Sequence, residues 1–206
     1  MGRILIILTA VLLIAACSNP ASDKPRAVTS DAAPAASPAV SGATYAITPE
    51  NSDIEFIGAK VTGKHNGSFE KFSGEINYAG QPEKSRVRIA IDIDSMTTDD
   101  AKLTAHLKTP DFFDAAKFPQ STFESTEITT GGESGASHTI KGNLTMHGVT
   151  KSITFPAKIA VAGDAITVDS TFAINRKDFG INYAGASDNL IRDDVVLTLR
   201  VRATKS

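Results

Sequence analysis

From Tyr45 onward the chain places apolar residues at every second position, and this period limits the fold more than any other feature. Val87, Ile89, Ile91 and Ile93 alternate with Arg86, Arg88, Asp92 and Asp94. Successive side chains of a strand point to opposite faces, so this segment has one apolar and one solvated side. The alternation recurs in Ile153, Phe155, Ala157, Ile159 and Val161, in Ile166, Val168, Phe172 and Ile174, and in Val195, Leu197, Leu199 and Val201. Ile140, Leu144 and Met146 continue it. Turn residues separate the runs: Asn66-Gly67, read as a type I′ hairpin, then Gly80 to Pro82, Gly131 to Gly135, Gly148 and Gly163-Asp164. About eight antiparallel strands follow from this pattern. The fold class is all-β, a sandwich or a closed barrel, which periodicity does not separate.

One stretch departs from the period. Thr97 or Thr98 is positioned to cap a short helix with Asp99 and Asp100 in its first turn and with Leu103 and Leu107 on one face. Pro110 ends it, and Asp111-Phe112-Phe113-Asp114 forms a further turn that pushes its rings toward the sheet before Pro119 restores extended chain.

The amino-terminal residues carry a different signal. Arg3, an uncharged run from Ile4 to Ala16, and small residues before Cys17 have the layout of a secretory signal, too short to span a bilayer. Ile14-Ala15-Ala16-Cys17 resembles the lipobox of bacterial lipoproteins. That resemblance implies diacylglyceryl transfer to the Cys17 sulfur, cleavage after Ala16 and acylation of the new amino terminus. Residues 1–16 are then a signal peptide. Cys17 is the lone cysteine, so no internal disulfide is available and its role is that of an anchor. Ser18 matches the outer-membrane default where that position is read for sorting. Residues 17–43, rich in Ala, Ser and Pro without an aromatic ring, read as a disordered tether reaching about 28 Å as a coil. Residues 44–206 form one domain with ample Phe, Ile, Val and Leu for a core. The net charge of −2 and the lack of a basic run point away from nucleic acid and anionic-lipid surfaces as partners. Oligomeric state is not set by any of these features.

Several ordered segments resemble the YceI-like family of bacterial exported proteins. They are Ile57-Gly58-Ala59-Lys60-Val61-Thr62-Gly63-Lys64-His65, Asp92-Ile93-Asp94-Ser95-Met96-Thr97-Thr98-Asp99, His106-Leu107-Lys108, Asp111-Phe112-Phe113-Asp114 and Lys117-Phe118-Pro119. Gly142-Asn143-Leu144-Thr145-Met146-His147-Gly148-Val149-Thr150-Lys151, Arg176-Lys177-Asp178-Phe179-Gly180-Ile181 and Leu190-Ile191-Arg192-Asp193-Asp194 complete the set. The resemblance implies an eight-stranded, antiparallel, lipocalin-like barrel. It also implies a polyisoprenoid or isoprenoid quinone held in the lumen, while the lipobox and Ser18 point to a periplasm-facing lipoprotein of the cell envelope, at the outer membrane. Ile89, Ile91, Ile93, Phe155, Ile159, Phe172, Ile174 and Leu197 are the lumen candidates. A hollow wall and a packed core use the same residue types, so both remain open. With no tryptophan and three tyrosines, stacking on a quinone head falls to Phe or Tyr.

Catalytic signals are weak. The four histidines have no recognised ligand spacing, and no cofactor or metal site is expected. His106 near Asp100, Asp111 and Asp114 is best explained by helix-end solvation. His65, His138 and His147 read as solvated turn residues. Arg176, Asp178, Arg192, Asp193 and Asp194 read as ion pairing at a rim, because three aspartates oppose a phosphate head. The expectation is a binding protein, not an enzyme. Two alternatives are an envelope adaptor built on a packed barrel and, less favoured, a weak hydrolase or isomerase using His106 and Asp111. The anchor reading predicts that Cys17→Ser abolishes incorporation of labelled fatty acid and leaves the protein soluble or uncleaved. Retained label and detergent partitioning would contradict it.

Overall fold

A computed structural model describes residues 19–34, 41–187 and 189–206. The expected signal peptide, Cys17 and residues 35–40 of the tether lie outside them. The strands are β1 (Val28–Asp31), β2 (Ala43–Ile47), β3 (Asp53–Lys60), β4 (Gly63–Phe69), β5 (Phe72–Tyr78), β6 (Arg86–Asp92) and β7 (Met96–Thr98). After the helix α1 (Ala101–Leu107) come β8 (Gln120–Thr130), β9 (His138–Met146), β10 (Val149–Ala162), β11 (Ala165–Asn175), β12 (Gly185–Ala186), β13 (Asn189–Leu190) and β14 (Asp194–Lys205).

These segments make a closed, antiparallel barrel of eight long strands. Three of the eight are interrupted. Strands β2 and β3 run consecutively along the same edge of β14, β4 and β5 form the next long strand, and β6 and β7 the third. The breaks, at residues 48–52, 70–71 and 93–95, fall on neighbouring strands and are repaired by side chains. Ser52 Oγ accepts the Arg202 N–H at 3.1 Å, and Ser95 Oγ accepts that of Lys71 at 3.0 Å. Asp92 caps the 3-10 turn Ile93–Ser95 by accepting from the Asp94 N–H. These side chains satisfy backbone donors that the broken ladder leaves without a strand partner. Strands β8 to β11 continue the meander, and β11 pairs with β14 to close it. The all-β class and the single short helix agree with the sequence.

Four local expectations need correction. Asn66 and Gly67 lie inside β4, and the hairpin turns one step earlier, between Lys60 and Gly63. Gly67 faces Phe56, whose ring occupies the space that a Cβ would take. The glycine therefore answers a packing demand instead of a turn. The helix is capped by Asp100, which accepts from the Lys102 and Leu103 N–H groups at 2.8 and 2.9 Å. Thr97 and Thr98 are paired in β7 with β4 and are unavailable as the cap. His138 starts β9, where it faces Glu83 at 3.5 Å with 12 % of its side chain exposed, so it is not a solvated turn residue.

The fourth correction concerns the tether, which is ordered over residues 19–34. Pro156 supplies no N–H in the middle of β10, and the pairing of β10 with β11 runs only from Lys158 to Ala162. The two strands part beyond that point. Strand β1 fills the gap, with Val28 to Asp31 opposite Thr154 to Lys151. Ala27 donates to Ala173 O at 2.9 Å, and Ala173 donates to Pro25 O at 2.8 Å. Arg26 binds Asp194, and Ala21 is buried against Ala173 and Val196. Composition misjudged this stretch because its attachment is through the backbone, not through apolar side chains. Ala27→Pro, which removes one of these donors and leaves a carbonyl unpaired, should cost about 1 to 3 kcal/mol. Amide exchange would show lost protection at Ala173 and at residues 151–154, with β8 and β9 unchanged. Unaltered exchange at Ala173 would contradict the strap.

Candidate ligand-binding site

Inward rows from all eight long strands surround a cavity of about 200 Å³, where one water needs roughly 10 to 15 Å³. The wall is nearly all hydrocarbon. Ile54 and Phe56 come from β3, Val87, Ile89 and Ile91 from β6, Phe123 from β8, and Leu144 and Met146 from β9. Phe69 of β4, Ile76 of β5, Ile153 and Phe155 of β10, Phe172 and Ile174 of β11, and Val195, Leu197 and Leu199 of β14 also line it. Phe155 and Phe172 stack with centroids 4.2 Å apart and planes 11° from parallel, and Phe123 leans on Phe155 at 5.8 Å. Phe172 is fully buried, whereas Ile89, Ile91 and Leu197 point inward and are still only partly buried. Side chains that face the interior yet remain accessible border open space. The hollow reading therefore fits these positions better than the packed one.

Seven of the eight lumen candidates lie on this wall: Ile89, Ile91, Ile93, Phe155, Phe172, Ile174 and Leu197. Ile159 does not. It sits at the opposite end of the barrel with Ile128, Val161 and Ile166, beside a minor pocket bordered by Tyr78 and Pro82. Large aliphatic groups fill the interior there, so the main cavity does not reach it.

The mouth is covered by two segments. Leu103 and Leu107 of α1, with Phe112 and Phe113, close one side, and Ile181 and Ile191 close the other. Ring contacts join the two covers: His106 meets Phe112 at 5.0 Å and Tyr183 at 5.3 Å edge-on, and Phe112 meets Tyr183 at 5.1 Å in a tilted pair. His106 Nε2 and Asp111 also form a 2.8 Å contact. That pair resides on the half-exposed outside, with 40 % and 51 % of the side chains accessible, and neither residue borders the cavity. The convergence inside a pocket that a hydrolase or isomerase would need is missing from this pair.

Polar groups gather at the mouth. Buried Arg176 donates to Ile181 O at 2.6 Å and to Arg192 O at 3.2 Å, and it reaches Asp193 at 3.4 Å. Burial lowers its pKa, and Asp193 partly offsets this. Lys177 holds the other Asp193 oxygen at 3.0 Å. Rim ion pairing thus describes Arg176, Asp193 and Asp194. Arg192 instead borders the cavity together with Lys60 and His65, and among the described residues no carboxylate pairs with Arg192 or Lys60. His65 is fixed through Nδ1 at 2.7 Å from Asp99, whose carboxyl is held below the usual range by the Asn66 N–H and by that ring. Sequence reading passed over Lys60 and took His65 for a solvated turn residue, whereas His65 lies inside β4 opposite Gly58. The signal was available: the inward row Ile54, Phe56, Gly58, Lys60 simply runs on past its apolar part. Among the described residues no group of three His, Cys, Asp or Glu side chains is placed to hold a metal.

An eight-strand antiparallel barrel closed around an apolar lumen, with one covered mouth, defines the lipocalin-like class of barrels. Within that class, a YceI-like domain profile matches residues 45–203, and the chain belongs to the YceI-like family. A UPF0312 protein of Pseudomonas putida strain GB-1 is 33 % identical over 137 residues, covering 63 % of this chain and 70 % of its own length. Burkholderia cenocepacia BcnA superposes with a TM-score of 0.68 at 24 % identity, over 77 % of this chain and 99 % of BcnA. A polyisoprenoid binding domain from Saccharophagus degradans, implicated in plant cell wall breakdown, gives 0.64 at 16 % identity, over 80 % and 99 %.

Proposed function

We propose that this protein binds an isoprenoid lipid, a polyisoprenoid or an isoprenoid quinone, in the barrel lumen and stores or carries it in the bacterial cell envelope. The observation that carries this reading is the apolar cavity of about 200 Å³ bordered by inward isoleucines and leucines that remain partly accessible. The polyisoprenoid-binding domain of like fold supports it. Binding, not catalysis, is the assigned role, because the wall offers hydrocarbon and few groups that exchange protons.

Energetics set the terms of transfer. Each five-carbon unit removed from water contributes about 4 kcal/mol, at ~0.8 kcal/mol per carbon, so a chain of several units is scarcely found free in solution. A bilayer offers the same gain. Exchange must therefore occur next to a membrane, and a lipid anchor on Cys17 raises the effective concentration there. In this reading residues 1–16 are removed on export, and the mature protein faces the periplasm from the outer membrane.

Mass spectrometry of organic extracts from the gently purified full chain tests the assignment. Wild type should yield an isoprenoid lipid. Ile91→Phe and Leu197→Phe, which place a ring in the open space, should reduce that yield several-fold while leaving the thermal midpoint within a few degrees. Enlargement in a packed core costs about 1 to 3 kcal/mol. An extract without isoprenoid, together with clear destabilisation of both variants, would overturn the proposal.

A further inference from the structure

We infer that the mouth end of the barrel is a membrane-docking face, turned to the bilayer by the strap of residues 19–34 and seated there by Val61, Tyr183 and Leu190. The inference rests on the proposed Cys17 anchor and adds where on the barrel that anchor acts. A chain free as far as residue 43 would let the barrel take any orientation. The strap instead fastens it close behind the anchor. Ala21 is 1 % exposed and packs on Ala173 and Val196, with Ile57 beside them. Arg26 pairs with Asp194, and Pro25 and Ala27 exchange hydrogen bonds with Ala173. Ala173 lies opposite Val196, and Val196 opposite Ile57, so Ala21 covers one transverse row of the outer wall. Along β11 that row is two residues from the mouth end at Asn175 and eight from Ala165, roughly 7 and 26 Å. Cys17 precedes Ala21 by four residues, a reach of at most about 14 Å. An acyl group attached there is therefore joined to the barrel near its mouth, out of reach of the Ala165 end.

The surface at that end has a matching character. Among the described residues five large apolar side chains are exposed, and three of them surround the mouth: Val61 at 47 %, Tyr183 at 39 % and Leu190 at 49 %. Backbone contacts hold the three segments together. The Val61 N–H donates to Leu190 O at 3.1 Å, the Ile191 N–H donates to Ala184 O at 3.0 Å, and Lys60 bridges Ile191. Tyr183 also meets His106, which ties this rim to the helix side. Single exposed apolar residues are ordinary, but several gathered around one opening mark a contact surface. A tyrosine beside aliphatic side chains suits the boundary between headgroups and acyl chains, where the ring is buried and the hydroxyl stays wet. The contact depends on apolar burial and not on lipid charge, which agrees with a net charge of −2. Docked this way, the opening between Ile181 and Leu103 faces the bilayer, and a prenyl chain passes from lipid to lumen without crossing water.

The chain has no tryptophan, so a single one reports its own surroundings. Leu190→Trp places it at the mouth, and Val161→Trp places it at the exposed far end. Each acylated full chain is bound to vesicles of phosphatidylcholine with brominated acyl chains, and its emission is compared with that on unbrominated vesicles. Leu190→Trp should lose about half of its emission or more, because interfacial side chains lie roughly 5 to 10 Å into the headgroup and acyl boundary. Val161→Trp should keep nearly all of its emission, and neither result should change with salt. Adding Ala21→Asp, which puts a carboxylate where the strap is buried, should release the strap and bring the Leu190→Trp signal close to that of Val161→Trp. Quenching that survives Ala21→Asp would overturn the strap as the orienting element. Quenching of Val161→Trp in place of Leu190→Trp would reverse the orientation. Quenching of neither would overturn the docking face and leave the rim to a second copy of the chain or another protein. An intact mass without acyl groups would overturn the anchor and this orientation with it, whereas the lumen reading stands or falls separately on the isoprenoid extracted from the same preparation.

Discussion

Closure of the sheet depends on one ladder. Strand β14 is paired with β11 along eleven positions on one side, from Ala165 with Thr204 to Asn175 with Asp194. On the other side it accepts β3 near its start and β2 at its end. Without the second pairing the sheet would keep two long edges and present its apolar face to water. With it, eight strands enclose an interior just wide enough to be filled by side chains or to hold one small ligand. The sequence takes the second course near the mouth and the first at the far end. Ile128, Ile159 and Ile166 occupy the far end, and the stacked Phe155 and Phe172 form part of the cavity wall.

The period-two pattern made the strands legible, since a strand with one buried face must alternate. Ile89, Ile91 and Leu197, which that pattern grouped on one face, border the cavity. Two things were not legible for a physical reason. Alternation specifies which face a residue joins but not how deep along the barrel axis it lies, so Ile159 was grouped with residues at the other end. Hydropathy is also blind to backbone hydrogen bonding. The Val28–Asp31 strand has an exposed, largely polar sequence and is held by β10 and Ala173 through main-chain groups that Pro156 leaves unpaired. Gly67 shows a related ambiguity. Glycine after asparagine is a strong hairpin signal, but the same residue also answers a ring packed against the backbone, and only the register with Phe56 separates the two.

The mouth joins these threads. Arg176, anchored to carbonyls of Ile181 and Arg192, ties the segment after β11 to the start of β14, while the rings of His106, Phe112 and Tyr183 bind that segment to the helix side. The cover is thus held by a buried guanidinium and a small aromatic cluster. In the proposed reading a prenyl chain enters between them and lays its tail along the hydrocarbon wall. Whether the tail occupies the interior is the central claim. Nuclear Overhauser contacts in the full chain loaded with geranylgeraniol test it most directly. The account predicts contacts between prenyl methyl groups and the methyls of Ile89, Ile91 and Leu197. Contacts confined to outer-surface residues such as Val28 or Leu190, with none to these three, would contradict it.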